Sequence, residues 1–109
     1  MKAIPKRLLP NEVKYKKRVS NSRGVTYETS IPLKYVKIEE NKKYYYSQNG
    51  RELISSAMLF YDLVNSDGLS EQPTVDSKIE YNDKEYKIID VEILRDERDT
   101  PHHYEMTLK

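Results

Sequence analysis

The chain contains no cysteine among its 109 residues. That removes disulfide staples and thiolate metal sites from the possibilities. A reducing compartment is compatible with this without following from it. Its three glycines, Gly24, Gly50 and Gly68, lie too far apart to form a loop that cradles phosphate. No Gly-x-Ser-x-Gly nucleophile elbow occurs. No apolar run approaches the ~20 residues that a membrane helix needs. The first ten residues carry charge but lack the apolar stretch of a secretory signal. These absences point to a protein made in the cytoplasm and used there, or in something assembled there, with no membrane contact.

What is present is strongly polar. Charged residues make up 34% of the chain and apolar ones 37%, so a single domain over residues 1–109 has a thin core. Subunits short of core often gain stability by burying surface against partners. The net charge of +1 hides an asymmetry. Residues 1–18 hold seven Lys or Arg against Glu12, a balance of +6, while the remainder holds 12 basic and 17 acidic residues, a balance of −5. Such a split marks contact with an acidic partner or nucleic acid, or else a solvated strand and arm. Lys14, Lys16, Lys17 and Arg18 are the candidate DNA-facing residues.

Pro5 and Pro10 flank Leu8 and Leu9, and proline fixes φ and removes a donor, so residues 1–10 read as an extended arm. Its apolar side chains, Ile4, Leu8 and Leu9, either fold back over the domain or dock on a neighbour. Residues 11–19 alternate weakly and read as a half-buried strand. Residues 20–24 are a turn by composition. Val25, Tyr27, Thr29, Ile31 and Leu33 then share one face of a second strand, with Pro32 marking an edge or a break. After Tyr35 the apolar phase moves to Val36 and Ile38, which calls for a bulge or a new strand.

Residues 39–43 are polar and run into Tyr44-Tyr45-Tyr46, followed by a turn at residues 48–51. Consecutive aromatics cannot share one side of a strand. This middle segment reads as a protruding loop or ribbon. Lys42, Lys43, Tyr44, Tyr45 and Tyr46 join Ile4, Leu8 and Leu9 as candidate subunit-docking residues. Residues 52–65 fit helical spacing at Leu53, Ala57, Phe60 and Val64, and strand spacing at Ala57, Leu59, Tyr61 and Leu63. A strand through residues 57–62 is the expectation, with a short helical turn beside it left open. Residues 65–74, with Gly68 and Pro73, form a loop.

Residues 78–94 alternate on both sides of Asn82-Asp83. A two-residue turn there sets Tyr81 against Lys84 and Ile79 against Tyr86. The phase shifts again at Ile88-Ile89, aligning Ile89, Val91 and Ile93, as a bulge would. A charged loop follows, and then a last strand with Tyr104, Met106 and Leu108 on one face. The fold class is therefore mainly β: a small barrel or sandwich of about six to seven antiparallel strands with at most a short helix.

No catalytic or cofactor-binding constellation emerges. His102 and His103 are expected on opposite faces of a strand, unable to hold one ion together. Asp96, Glu97 and Asp99 lack the length and central glycine of a calcium loop. No metal ligands are assigned. A nucleic-acid module of OB type is the rival reading, using Lys14, Tyr15, Lys16, Lys17 and Arg18 as a basic, stacking surface. Against it, the tyrosines fall mostly at alternating core positions.

The chain also resembles a family of small minor capsid proteins encoded in the head-morphogenesis region of tailed phages and prophages of Gram-positive bacteria. The resemblance runs through Ile4-Pro5-Lys6-Arg7-Leu8-Leu9, Val13-Lys14-Tyr15, Ala57-Met58-Leu59-Phe60-Tyr61-Asp62 and Asn65-Ser66. It continues through residues 79–88 around Asn82-Asp83 and ends with His102-His103-Tyr104-Glu105-Met106-Thr107-Leu108. Asp83 departs from it, standing where a glycine is expected in the hairpin turn. The resemblance implies a non-enzymatic virion protein, a head–tail connector or stopper-like subunit. It would form a ring between portal or adaptor and tail, and help retain packaged DNA. It also implies location at the head–tail interface of the virion and in the host cytoplasm during assembly. A monomer in solution is compatible with that role.

Overall fold

The structure, a computed structural model, describes residues 2–109; residue 1, the first of the expected arm, lies outside them. A single 3₁₀ turn, Lys6–Leu8, follows Pro5. The strands then run β1 (Asn11–Lys16), β2 (Arg18–Asn21), β3 (Gly24–Tyr27), β4 (Ile31–Ser47), β5 (Gly50–Asp62), β6 (Lys78–Tyr81), β7 (Lys84–Arg95) and β8 (Pro101–Leu108). Six of them form one antiparallel sheet in the order β1-β4-β5-β8-β7-β6. Pairing of β6 with β1 brings that order back to its start, so the sheet curls into a small barrel. β2 and β3 make a separate two-stranded hairpin. The mainly β expectation holds.

Turn chemistry sets the β6–β7 register. Asn82 and Asp83 both take positive φ, +50° and +61°. These two residue types tolerate that region, and a turn of two such residues matches the twist of the strands it joins. Ile79 therefore lies opposite Tyr86, and Tyr81 opposite Lys84. Aspartate in place of glycine leaves the hairpin intact.

Bulges keep the inner face apolar along the long strands. Asn11 pairs with Val36 but Glu12 pairs with Lys34, so Tyr35 is the extra residue. Its φ of +56° confirms the kink, and Val36 and Ile38 return to the core behind it. Ile89 is extra in β7 in the same way, since Ile88 pairs with Leu108 and Asp90 with Thr107. Both phase shifts read from the sequence are thus bulges. Pro32 sits opposite Lys14, in a stretch of β4 that β5 does not reach, so its missing N–H disrupts no ladder.

Leu33, Leu59, Ile79, Ile88, Met106 and Leu108 are fully enclosed in the barrel. The tyrosines that join them keep their hydroxyls at the rim, where loop groups meet them. Tyr15 Oη accepts from the Thr74 amide at 3.2 Å and donates to Ser77 Oγ at 3.4 Å. Tyr61 Oη accepts from the Leu69 amide at 3.0 Å. The loop after β5 is held by aromatic residues whose rings are core, as suits a side chain with one apolar and one polar end.

Several expectations are corrected. The strand over residues 11–19 breaks at Lys17, whose carbonyl accepts from the Glu28 amide at 2.9 Å. The chain leaves the barrel there and spends residues 18–27 on the small hairpin. Val25 and Tyr27 are therefore exposed and do not share the core face of Leu33. The middle segment, expected as a protruding loop or ribbon, is the ribbon and not the loop. It is the distal half of a long β4–β5 hairpin, turning at residues 48 and 49. Residues 52–65 hold no helix: β5 runs to Asp62 with Ala57, Leu59 and Tyr61 inward, and Leu63 lies beyond its end.

Gly68 shows how tightly the loop after β5 docks. Its φ is +128°, and a Cβ there would lie 2.3 Å from the Pro32 carbonyl oxygen. Gly50 also has positive φ, +111°, but open space around it. Gly68→Ala is expected to destabilise the fold by more than ~1 kcal/mol, lowering the thermal midpoint by at least about 4 °C. Gly50→Ala is expected to have the smaller effect, which paired melting curves will show.

Candidate functional site

The β4–β5 hairpin outgrows the barrel. β1 accompanies β4 only as far as Val36, and β8 accompanies β5 only from Ala57 onward. Everything between is a two-stranded ribbon with free edges. Its base is bent by irregular pairing: Glu40 faces Ala57, Lys43 faces Ser55 and Tyr44 faces Leu53. Asn41 and Lys42 thus lie opposite Ser56 alone, and Ile54 is unmatched. Such bulges add twist and re-aim a ribbon.

The ribbon tip is aromatic and cationic. Tyr45 and Tyr46 are 60% and 70% exposed. Tyr44 is half-buried, its ring 6.3 Å from that of Tyr46, with the Arg51 guanidinium 4.3 Å from its centroid. Arg51 was not among the sequence candidates; only the cross-strand register brings it to Tyr44. Lys42 and Lys43 are exposed nearer the base. Lys42 borders an open groove of about 600 Å³ between the ribbon base and the β6–β7 hairpin, with Glu40, Lys84, Tyr86 and Lys109 on its walls. Tyr86 donates a hydrogen bond to Glu40, and Lys84 reaches the same carboxylate oxygen at 3.1 Å. Burial first, and the Glu40 bond second, push the Tyr86 phenol up to about 12. The bonds from Tyr86 and then Lys84 hold Glu40 below the usual carboxylate range.

The arm folds back on its own barrel. Leu9 is 2% exposed, so of the arm candidates it is spent on internal packing. Ile4 is half-buried and Leu8 is exposed; both line a small hollow beside Phe60 and Lys37. Asp62 makes the latch. Its carboxylate accepts from the Ile4 amide at 3.1 Å, the Val64 amide at 3.0 Å and the Asn65 amide at 2.8 Å. Asn65 Nδ2 returns a bond to the Ile4 carbonyl at 2.8 Å. The run Asp62-Leu63-Val64-Asn65-Ser66 carries the sequence signal of an Asx turn, which could have marked this residue in advance.

The basic strand is neutralised only in part, because Lys17 alone has a close carboxylate of its own. Lys17 bonds Glu71, and this partner raises its pKa. Lys16 lies 3.9 Å from Glu85. Lys14 faces solvent. Arg18 uses its backbone amide to bind Ser77 Oγ. Tyr15 is in the core and presents no ring for stacking.

The paired histidines do not face apart. Leu94 pairs with His103 and Arg95 with Pro101, so His102 is an extra residue in β8. A bulge rotates its side chain toward its neighbour. Nδ1 of His102 lies 2.8 Å from Nδ1 of His103, and its Nε2 lies 2.6 Å from the Lys2 carbonyl oxygen. A carbonyl only accepts, so His102 Nε2 carries a proton. His103 Nε2 in turn lies 3.5 Å from Glu105. The cluster ties the arm to β8. No group of three or more His, Asp or Glu able to hold a metal ion occurs among the described residues.

The sequence profile of the minor capsid proteins matches residues 5–108. This chain belongs to the minor capsid protein family. No curated protein matches it. A minor capsid protein is a component of the virion and works in contact with other virion proteins, so the features that matter most are those it presents outward. The ribbon tip and the exposed part of the arm are such features. The arm's placement is set by Asp62 and the histidine pair.

Two outcomes test this architecture. Asp62→Ala is expected to destabilise the protein by at least about 2 kcal/mol, because charge-accepted amide bonds are lost together. Hydrogen exchange should accelerate most at the Ile4, Val64 and Asn65 amides. Tyr86 supplies a pH dependence. Its folded pKa is raised above the free value, so its contribution is fully present below pH ~10 and is lost as pH rises toward 12. Denaturant titrations across that range should show stability falling in the native protein and falling less in Tyr86→Phe.

Proposed function

We propose that this minor capsid protein is a head–tail connector or stopper-like subunit. It acts by docking rather than by catalysis, as one member of a ring between the portal or adaptor side and the tail side. It helps retain packaged DNA. Its place is the head–tail interface of the virion, reached from the host cytoplasm during assembly.

One observation carries this reading. A polar barrel devotes a long stretch of its two longest strands to a ribbon that adds nothing to its own core. Exposed tyrosines are costly to leave in water but effective in interfaces, where the ring is buried and the hydroxyl finds a partner. The free backbone edges of the ribbon offer a partner strand unpaired hydrogen-bonding groups. Tyr44, Tyr45, Tyr46, Lys42 and Lys43 are the ribbon's docking residues, and Ile4 and Leu8 those of the arm. Non-specific phosphate contact needs only accessible cations. Lys14, Arg18 and the ribbon lysines meet that condition better than Lys16 and Lys17, which have carboxylate partners.

Replacing Tyr45 and Tyr46 together with serine tests the proposal. Both are exposed, so the thermal midpoint should stay nearly unchanged, within about 0.5 kcal/mol of native stability. In the phage that encodes the chain, infectious titre should collapse, with tailless or emptied heads in micrographs. Normal yields of tailed, filled particles would sink the reading.

A further inference from the structure

In the order β1-β4-β5-β8-β7-β6, β4 and β7 stand three steps apart in either direction, on opposite sides of the barrel. Their outer surfaces differ in charge. On the β4 side, the arm sets Lys6 Nζ 4.3 Å from the centroid of the exposed Tyr35 ring. Arg7 and Leu8 follow Lys6, Lys34 precedes Tyr35, and all are exposed. Neither Arg7 nor Lys34 has an ion pair among the described residues. On the β7–β8 side, Glu92 lies directly opposite Glu105, and Asp90 is two residues away on the same strand face. The side chains of Asp90 and Glu92 have no ion pair or hydrogen bond among the described residues.

We infer that copies of this chain join side by side through unlike faces, the β4-and-arm side of one barrel against the β7–β8 side of the next. The inference rests on the ring reading above and names the surface that would build the ring. Like charges directly opposite on a sheet repel. Glu105 has His103 Nε2 at 3.5 Å, which is charged only when protonated, while Glu92 has no partner among the described residues, so a cation supplied from outside relieves the repulsion between the two carboxylates. One barrel cannot turn its own β4 side onto its own β7 side, but a second copy can present it. The occupant is a second copy because one chain carries both halves, cations around exposed Leu8 and Tyr35 on one side and carboxylates on the other. Nucleic acid is a poor occupant of the β7–β8 face, whose carboxylates repel phosphate. A contact between different patches repeats from copy to copy and closes into a ring when the rotation allows.

Sedimentation velocity of the full chain against salt tests the inference. Native protein should associate at low salt and dissociate as salt rises. The double variant Asp90→Lys, Glu92→Lys should associate at least about tenfold more weakly, and so should Arg7→Glu, Lys34→Glu. These positions are exposed, and lysine opposite Glu105 replaces a repulsive pair with an attractive one, so folding should be retained; melting curves check this. An equimolar mixture of the two variants should recover association, since each now offers the face that the other lost. A native chain that stays monomeric at low salt, variants that associate like it, or a mixture that fails to recover would each overturn the inference. None of these results bears on the ribbon-tyrosine experiment, so a failure of this surface can be told apart from a failure of the connector reading.

Discussion

Strict alternation of side chains along a β-strand is the constraint on which this structure depends. A strand that slips by one residue turns its whole apolar set outward. A small polar barrel cannot absorb such an error, because its inner face holds few residues to begin with. Every long strand here needs a correction to stay in phase, and each correction is a bulge. Tyr35 restores β4, Ile89 restores β7, and the unmatched residues near 41, 42 and 54 adjust the ribbon. An extra residue breaks the regular alternation and can re-aim its side chain. The bulges therefore do more than rescue the core. Tyr35 meets Lys6 of the arm, His102 meets Lys2 and His103, and the ribbon base bends where it leaves the barrel.

This explains which parts of the fold were legible in the sequence. The β6–β7 hairpin was readable to the residue because turn chemistry and alternation agreed there. The phase changes after Tyr35 and at Ile88-Ile89 were readable because apolar residues marked both sides of each shift. The bulge at His102 was not, since His102 and His103 are alike in polarity and no apolar marker shows which way either points. Alternation then put them on opposite faces, and the extra residue undid that. The β2–β3 hairpin was missed for a related reason. Val25 and Tyr27 look like core residues, but they belong to a pair of strands with no second layer to cover them.

The candidate site was legible in composition more than in geometry. Tyrosine and lysine runs in the middle segment stood out as surplus to a core, and the ribbon carries them outward. The arm was half-readable: an apolar run next to prolines must be covered, but whether by its own barrel or a neighbour depends on Asp62, 53 residues beyond Leu9 in the sequence. The basic first strand was legible as charge but not as accessible charge. Sequence charge counts cations without their partners, and Glu71 and Glu85 come from the far end of the chain to meet Lys17 and Lys16. Among the described residues, cations without a carboxylate partner remain at Lys14 and Arg18, and on the arm, β4 and the ribbon.

A thin core also bears on how such a subunit works. With few buried residues, the margin between folded and unfolded states is narrow, and binding to neighbours adds to it by mass action. The elements proposed to dock need not be stable alone. A two-stranded ribbon without a covering layer is marginal in water, and the arm ahead of buried Leu9 is held mainly by a few polar contacts, so both open more readily than the barrel. The barrel holds both at fixed roots while leaving their outer parts free to settle against a partner. Rigidity is concentrated where the closed order of strands supplies it, and adaptability where the chain has only one neighbour or none. On the connector reading proposed above, that division is an advantage, because the roots set direction and the free ends accommodate a mismatch in shape.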